Sequence, residues 1–168
     1  MYRCVPLHAT SKVSDVDDRL EPFAAWRAVL LAQNRAVLAI ERELDTAGQI
    51  SLAWYDVLLE LNSAPNRRLR MQDLGLKAVL SRTRVSRIVT ELEYAGLVER
   101  LADPLDGRAT LARMTTAGRS AFKRAAPVYL ASVERHFTRR LTSDEQHHIV
   151  NGLQRVIDIH DAETDKRR

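Results

Sequence analysis

The sequence predicts a mainly α-helical protein with one small β-hairpin, and three observations support this fold class. Glycine and proline are scarce, with six and five copies in 168 residues, whereas alanine, leucine and arginine, which favour helices, are abundant. Apolar residues recur every three or four positions along most of the chain, which is the spacing of one helix face. In a single segment, about residues 97–114, two short runs with strand character flank a turn.

The first predicted element is a long helix over residues 21–46, preceded by a mobile arm of residues 1–20 that shows no sustained period. The helix carries a heptad-like seam with one polar position, Gln33, among Phe23, Trp26, Leu30, Val37, Ile40 and Leu44. Because such a seam must be covered by other apolar surface, we expect this helix to pack against other helices, from the same chain or from a second subunit.

Two shorter helices are predicted next. Ser51 is placed to cap a helix over residues 52–63, which ends at Ala64-Pro65-Asn66. The following segment, RMQDLGLKAVLS, again shows helical spacing and would form the first helix of a helix-turn-helix.

The next predicted helix begins after Ser81 and has two contrasting faces. Its apolar face consists of Val85, Ile88, Val89 and Leu92. Its polar face carries three arginines and three hydroxyl residues, namely Arg82, Thr83, Arg84, Ser86, Arg87 and Thr90, and no acidic residue precedes Glu91. This arrangement predicts a helix whose first two turns meet an anionic partner. The alternative is an ordinary solvated arginine-rich face.

A β-hairpin is predicted directly after this helix. Gly96 ends the helix, LVER and TLARM have strand character, and DPLDGR between them is turn chemistry with Arg108 near the tip. A helix followed by a hairpin is the order of a winged helix-turn-helix, in which the helix enters the major groove of DNA and the hairpin, the wing, reaches neighbouring phosphates or the minor groove.

The C-terminal part is predicted to be helical again. A helix over about residues 116–140 contains Pro127, which should cause a kink or a break near Ala125 and Ala126. Thr142 and Glu145 have the spacing of a capping box and open a last helix over about residues 143–161.

The predicted organisation is one domain over residues 21–162, with a frayed tail at 163–168. Within it, residues 48–115 form a DNA-binding lobe. The flanking helices, in 21–47 and 116–162, carry apolar seams but little sequence-local core to cover them. We therefore expect these N- and C-terminal helices to form a homodimer. Two-fold symmetry then predicts a palindromic operator in double-stranded DNA, with half-sites roughly 10 base pairs apart.

The positive charge of the chain is concentrated in the predicted DNA-binding lobe. Between Arg67 and Arg113 there are ten lysines and arginines against six acidic residues, an excess equal to the whole net charge of +4. This is the electrostatic distribution expected of a protein that binds nucleic acid.

Other classes of protein find little support in the sequence. It contains no glycine-rich phosphate loop, no H-E-x-x-H motif and no cysteine pair, so we expect no enzyme, cofactor or metal site. His147 and His148 are adjacent and cannot chelate from one helix face, and Cys4 has no partner for an internal disulfide. Without an apolar run of roughly 20 residues or a secretory signal, a cytoplasmic protein is expected and a membrane protein is not.

The region from the helix after Ser81 onward resembles the MarR family of bacterial transcription regulators. The resemblance rests on Gly96-Leu97-Val98-Glu99-Arg100, on Asp106-Gly107-Arg108 and on Thr115-Thr116-Ala117-Gly118, in this order and spacing. The sequence departs from the family pattern at Gly75, where alanine is usual, and at Val79, where glycine is frequent.

The resemblance implies roles for individual residues. Arg87 and its neighbours Thr83 and Ser86 take family positions that touch bases or phosphates, and Arg108 of the wing is braced by Asp106. An arginine that pairs bidentately with guanine contributes about 1–3 kcal/mol of discrimination. Arg100 and Arg113 are expected to be salt-bridge or phosphate residues. The alternative for the wing is a flexible exposed arginine next to an ordinary turn aspartate.

The resemblance also implies a small aromatic or phenolic effector. Trp26, Arg27, Trp54 and Tyr55 would line its crevice, although Trp26 and Tyr55 are better explained as plain core residues. The function expected is a repressor relieved by such an effector. The alternatives are an activator or anti-silencer on the same scaffold, or a winged helix that binds protein, which would not need the acid-free arginine face.

Overall fold

The computed structural model describes residues 21–165. The predicted arm, residues 1–20 with Cys4, lies outside the described residues, as do residues 166–168 of the predicted tail. The chain divides into two compact units, Met1–Arg35 and Ala36–Arg168.

The described chain contains helices and one small sheet. The helices are α1 (Glu21–Thr46), α2 (Leu52–Ser63), α3 (Met71–Lys77), α4 (Arg82–Tyr94), α5 (Thr116–His136) and α6 (Ser143–Asp165). The strands are β1 (Arg68–Arg70), β2 (Val98–Asp103) and β3 (Asp106–Met114). They form an antiparallel sheet in the order β1-β3-β2, so the winged helix-turn-helix predicted from the sequence is confirmed.

The sheet is larger than the predicted two-stranded hairpin. β1 is a third strand that pairs with the end of β3, with Arg70 opposite Leu111. The wing strands are also longer than expected, because only Pro104 and Leu105 remain as the turn. Asp106 and Arg108 therefore belong to β3 rather than to a loop. A strand of three residues is too short to show a period, so only its partner strand reveals it.

The predicted break at Pro127 is absent, since α5 runs unbroken from Thr116 to His136. Proline removes one backbone donor, but the residues around it are packed: Ala125 is fully buried, and Ala126 and Val128 pack against the same cluster. Tertiary packing thus maintains the helix. α5 ends earlier than predicted, and a 3₁₀ turn over Thr138–Arg140 follows it.

The capping box predicted before α6 is present. The backbone N–H and the hydroxyl of Thr142 both donate to Glu145 Oε2, at 2.7 and 2.9 Å, and the backbone N–H of Glu145 donates to Thr142 Oγ1. These hydrogen bonds satisfy donors that a helix N-terminus leaves without partners. The helix they open continues to Asp165, four residues beyond the predicted end.

Two hydrophobic clusters form the core of the second unit. The first joins α2, α3, α4 and the sheet, and its fully buried members include Val57, Leu58, Leu61, Leu74, Val89 and Leu92. The second joins the C-terminal part of α1 to α2 and α5 through Ile40, Leu44, Leu52, Tyr55 and Ala125. The first cluster therefore supports the predicted DNA-binding lobe, and the second supports the helices behind it.

A polar cluster also ties α1 to α5. Glu43 accepts hydrogen bonds from Ser132, from Arg135 Nη1 at 2.7 Å and from His136 Nε2 at 2.8 Å. The hydrogen bonds from Ser132 and His136, aided by Arg135, lower the pKa of Glu43 to about 2. Glu43 thus stays ionised throughout the physiological range and holds the end of α1 in place.

In the first unit, the structure describes residues 21–35, the N-terminal part of α1. Its large apolar side chains are exposed, including Phe23 at 68%, Trp26 at 62% and Leu30 at 46%. No helix of the described chain is long and apolar enough to cross a membrane.

The two departures from the family pattern lie in α3 and in the turn that follows it. At Gly75, an added Cβ would lie 3.3 Å from Val85 Cγ1 and 3.4 Å from the carbonyl oxygen of Leu80, so α3 and α4 approach closely there. Val79 has a φ of 54° and is 90% exposed. A β-branched residue in this left-handed conformation is strained by about 1–2 kcal/mol.

Val79→Gly is expected to stabilise the protein by about 0.5–1 kcal/mol, because relief of the strain exceeds the added flexibility of the unfolded chain. Chemical denaturation of the two proteins measures the difference in free energy of unfolding. Gly96→Ala is the opposing control: its φ is 71° and nothing lies within 4 Å of an added Cβ, so backbone strain alone should destabilise it. A Val79→Gly protein less stable than the parent would contradict the assignment of strain.

Candidate nucleic-acid interface

The arginine-rich face predicted from the sequence is exposed on α4. Ser81 caps the helix by accepting a hydrogen bond from the backbone N–H of Arg84 at 3.3 Å. The apolar face is buried, with Val85, Ile88, Val89 and Leu92 at most 2% exposed. The six residues of the polar face are all exposed, as Arg82, Thr83, Arg84, Ser86, Arg87 and Thr90. The structure thus brings the predicted base-contacting residues together on one accessible surface.

Arg100 of β2 holds this helix against the sheet. Its guanidinium forms an ion pair with Glu93, and its Nη2 donates to the carbonyl oxygen of Ser86 at 3.1 Å and to Thr90 Oγ1 at 2.9 Å. Three groups over two turns of α4 are therefore fixed by one side chain. Arg100 is a salt-bridge residue, one of the two roles expected for it.

Trp54 of α2 also contacts α4, through a chain of polar contacts. Its indole Nε1 donates to Glu91 Oε2 at 3.1 Å, and Glu91 Oε1 lies 3.5 Å from Arg87 Nε. Glu91 is therefore positioned beside Arg87, whose side chain remains 74% exposed. The structure places Trp54 in support of the recognition helix.

Arg84 faces a carboxyl group of α2 with a shifted pKa. Burial and the negative charge of Glu60 raise the pKa of Asp56 to about 6, while Arg84 opposes the shift and Glu41 adds to it. Above pH 6 an Asp56 carboxylate therefore attracts Arg84, and below that pH the attraction is lost as Asp56 gains a proton.

A cleft of about 350 Å³ opens between α3, the start of α4 and the sheet. Its lining includes Arg82 and Ser86 of the polar face of α4. Arg100 of β2 and Thr110 of β3 line it as well. Two guanidinium groups thus line one concave surface next to the exposed face of α4.

The wing carries the two remaining residues that are predicted to contact DNA, Asp106 and Arg108. Asp106 is exposed and is the Cα partner of Asp103 across the two-residue turn. Arg108 lies in β3, two residues farther along. The hairpin therefore puts both positions at the end of the sheet that carries the turn.

The sheet contains two further ion pairs: Arg113 forms one of them, which is one of the two roles expected for it, and the sequence reasoning did not assign the residues of the other. Arg70 Nε lies 2.6 Å from Asp103 Oδ2, and Arg113 Nε lies 2.7 Å from Glu99 Oε1. A hydrogen bond from the backbone N–H of Leu105 and the contact with Arg70 hold the pKa of Asp103 below its usual range. One signal could have identified Arg70 as a residue with another role. It is an arginine at a helix N-cap position, where serine, threonine, aspartate or asparagine is preferred.

The residues predicted for an effector crevice lie on two helices. Trp26 and Arg27 are exposed residues of α1 in the first unit. Tyr55 of α2 is 2% exposed and stacks on Phe122 and Tyr129, with ring centroids 5.0 and 4.2 Å away. Burial, together with the neighbouring Tyr129 and Asp56, raises the pKa of Tyr55 to about 12. The effector assignment remains a prediction.

Known proteins share this architecture. A sequence profile of the MarR family matches residues 35–109. The structure of AbsC, a MarR family transcriptional regulator from Streptomyces coelicolor, is 27% identical and matches with a TM-score of 0.77 over 89% of this chain and 99% of AbsC. Sco3205, a MarR family transcriptional regulator from the same organism solved in complex with DNA, is 30% identical over 82% of this chain and 86% of its own, with a TM-score of 0.73. This chain belongs to the MarR family.

A further MarR-like fold is that of BpsR from Bordetella bronchiseptica, whose DNA binding is regulated by 6-hydroxynicotinic acid. It is 20% identical, with a TM-score of 0.70 over 79% of this chain and 98% of BpsR. No curated protein sequence matches the chain significantly.

Within residues 21–165, no group of three histidine, cysteine or acidic residues could hold a metal ion.

Membership of the MarR family makes this protein a DNA-binding transcriptional regulator. Its α4 has an exposed polar face with no acidic residue over the first two turns, which is what a recognition helix requires. α3, α4 and the β2–β3 wing are therefore the candidate nucleic-acid interface.

Proposed function

We propose that this MarR-family protein is a homodimeric repressor of a palindromic operator, and that a small aromatic or phenolic molecule relieves repression. The exposed, acid-free arginine face of α4 carries the proposal. Arg82, Arg84 and Arg87 are exposed on this face, and they are proposed to pair with guanine edges or phosphates in the major groove. In the wing, Arg108 contacts a phosphate or the minor groove, with Asp106 as its brace.

Exposed apolar surface supports the homodimer. α6 presents Val150, Val156, Ile157 and Ile159 at 49–63% exposure, and Leu153 at 38%. Val150, Leu153, Val156 and Ile157 recur at steps of three and four and so lie on one side of the helix, and an exposed apolar patch of this kind marks a surface that binds a partner. A second copy of the chain is the partner proposed, because two-fold pairing of such helices presents two recognition helices to one duplex.

Leu153→Asp is expected to weaken the dimer by at least about tenfold, because the variant places a charge in an apolar contact. Sedimentation velocity over a concentration series measures the dissociation constant. Asn151→Asp is the matched control, since Asn151 is an exposed polar residue about 200° away on the same helix and should leave the dimer intact. A fully dimeric Leu153→Asp protein would show that another surface forms the dimer.

Selection of bound sequences from random duplexes by the purified protein tests the proposal as a whole. We expect an enriched palindrome with half-site centres roughly 10 base pairs apart. Enrichment of a single unrepeated half-site would contradict the dimeric mode of binding. No enrichment at low salt would contradict sequence-specific recognition through α4.

The effector is proposed to act by a shift between two populations of the dimer. A ligand that favours the form whose recognition helices are wrongly spaced weakens DNA binding in proportion to its differential affinity for that form. The regulation of BpsR by 6-hydroxynicotinic acid supports this class of effector. Trp26, Arg27, Trp54 and Tyr55 are the residues proposed to contact it.

A further inference from the structure

One carboxylate beside the wing turn is nearly buried and yet charged. Asp103 is 6% exposed, and its two oxygens have different partners. Oδ1 accepts a hydrogen bond from the backbone N–H of Leu105 at 2.9 Å, and Oδ2 accepts one from Arg70 Nε at 2.6 Å. A buried carboxylate is costly unless it is paired and hydrogen-bonded, so both contacts hold it in one orientation.

The position of Asp103 links these contacts to the geometry of the wing. Asp103 is the last residue of β2, and the pairing of β2 with β3 becomes irregular between Ala102 and Asp103. The hydrogen bond to Leu105 lies inside the turn itself. Fixing this side chain therefore fixes the point at which the chain leaves the sheet for the wing turn.

Arg70, the partner of Asp103, stands at the start of the helix-turn-helix. It is the last residue of β1 and the N-cap residue of α3, but its side chain makes no capping hydrogen bond. β1 and β2 are the two outer strands, so this ion pair spans the central strand β3. Leu111 of β3, 7% exposed, is the Cα partner of Arg70 on one side and of Leu101 on the other.

We propose that Arg70 and Asp103 are a positioning pair that sets the wing turn relative to the helix-turn-helix, so that Arg108 and the recognition helix meet the same duplex together. The pair connects the two parts of the interface, since α3 packs directly on α4 in the first hydrophobic cluster. This inference rests on the proposed contact of Arg108 with DNA.

The sheet itself provides a matched control. Arg113 and Glu99 form an ion pair of almost the same length, but they are direct Cα partners on neighbouring strands and lie at the end of the sheet away from the turn. Both side chains are about half exposed, whereas Asp103 is nearly buried. Exposed ion pairs contribute little, so loss of this one should leave the wing in place.

The test measures the affinity for a labelled duplex of about 30 base pairs, recovered by the selection above or of random sequence at low salt. Asp103→Asn, which is isosteric, is expected to weaken binding about tenfold, and Glu99→Gln by less than about twofold. In an Arg108→Ala background, Asp103→Asn should change the affinity by less than about twofold, because the side chain that it positions is absent. A purely structural role would give the same loss in both backgrounds and would overturn the proposal.

Three further variants, each with a substitution at Arg70, separate the remaining possibilities. Arg70→Ala should weaken binding like Asp103→Asn, Arg70→Lys should restore part of the loss, and the double variant should be no weaker than the worse single one. An additional loss in the double variant would show that Arg70 itself touches DNA, and would overturn the positioning role. If Asp103→Asn fails to fold, the Arg70 variants in the two Arg108 backgrounds provide the same test.

The salt dependence of binding distinguishes failure of this inference from failure of the proposed wing contact. Arg108→Ala should lower the log–log slope by up to about one unit if Arg108 meets a phosphate. Unchanged affinity and slope for Arg108→Ala would remove the wing contact, and the positioning role with it. A loss for Arg108→Ala with parental affinity for Asp103→Asn would overturn only the positioning pair.

Discussion

Arg84→Ala and Arg87→Ala are each expected to weaken binding to a selected duplex by about 10- to 100-fold, and the double variant should bind at close to the nonspecific level. Both side chains are exposed on a helix whose opposite face is buried, so their removal leaves the fold intact. The size of the effect follows from about 1–3 kcal/mol for each bidentate arginine–guanine pair. Fluorescence anisotropy with the selected duplex and with a scrambled one measures specific and nonspecific affinity separately.

Arg124→Ala is a matched control for these two variants. Arg124 is an exposed arginine on α5, outside the α4 face and the wing, so its replacement removes the same charge from another surface. We expect less than about a threefold change in affinity from this control. Parental affinity of both Arg84→Ala and Arg87→Ala would contradict the assignment of α4 as the recognition helix.

Affinity measured against pH tests the electrostatic partner of Arg84 in the same assay. The raised pKa of Asp56, about 6, means that its carboxylate is protonated as the pH falls from 7 to 5. Loss of that negative charge should leave Arg84 more available to DNA. The parental protein should therefore gain more affinity on acidification than the Arg84→Ala protein does.

The elements set by local pattern were the ones that the sequence predicted well. The bounds of α1, α2 and α4 agree with the structure, because each helix has a cap or breaker and an apolar face of the right period. Ser81, for example, caps α4, because its hydroxyl oxygen accepts a hydrogen bond from the backbone N–H of Arg84. The winged lobe followed from the order of these elements.

What the sequence could not show depends on pairing between distant segments. β1 exists because of its ladder with β3, more than 40 residues later in the chain. The unbroken α5 likewise depends on packing around Ala125, although its own sequence contains a helix breaker. Local preference predicted the wrong outcome at both places because tertiary contacts outweigh it.

The same distinction holds within the interface. The arginines of α4 were predictable, since helical spacing alone puts them on one face. The contacts of Arg100, of Trp54 and of the Arg70–Asp103 pair join residues that are 7 to 37 positions apart. No spacing rule connects such residues, so only the folded chain shows these contacts.

Gly118→Ala is expected to destabilise the fold by about 3 kcal/mol or more, the largest stability change that we predict for a single methyl group. A Cβ at this position would lie 2.0 Å from the carbonyl oxygen of Leu97 and 3.1 Å from Met114 Cγ. The first turn of α5 cannot retreat easily, because Thr115 donates its hydroxyl to the carbonyl oxygen of Gly96 at 2.8 Å and its backbone N–H to that of Leu97 at 3.0 Å. Thermal unfolding should show a midpoint lowered by about 10 °C.

Gly107→Ala separates this clash from the general effect of replacing glycine. Nothing lies within 4 Å of a Cβ at Gly107 and its φ is not left-handed, so its stability should match or slightly exceed that of the parent. Because the clash is with backbone, a smaller neighbouring side chain such as Met114→Ala should not rescue Gly118→Ala. Rescue would mean that the Met114 side chain, rather than the Leu97 carbonyl, requires a glycine here, and parental stability of Gly118→Ala would show that α5 can shift away from the wing sheet.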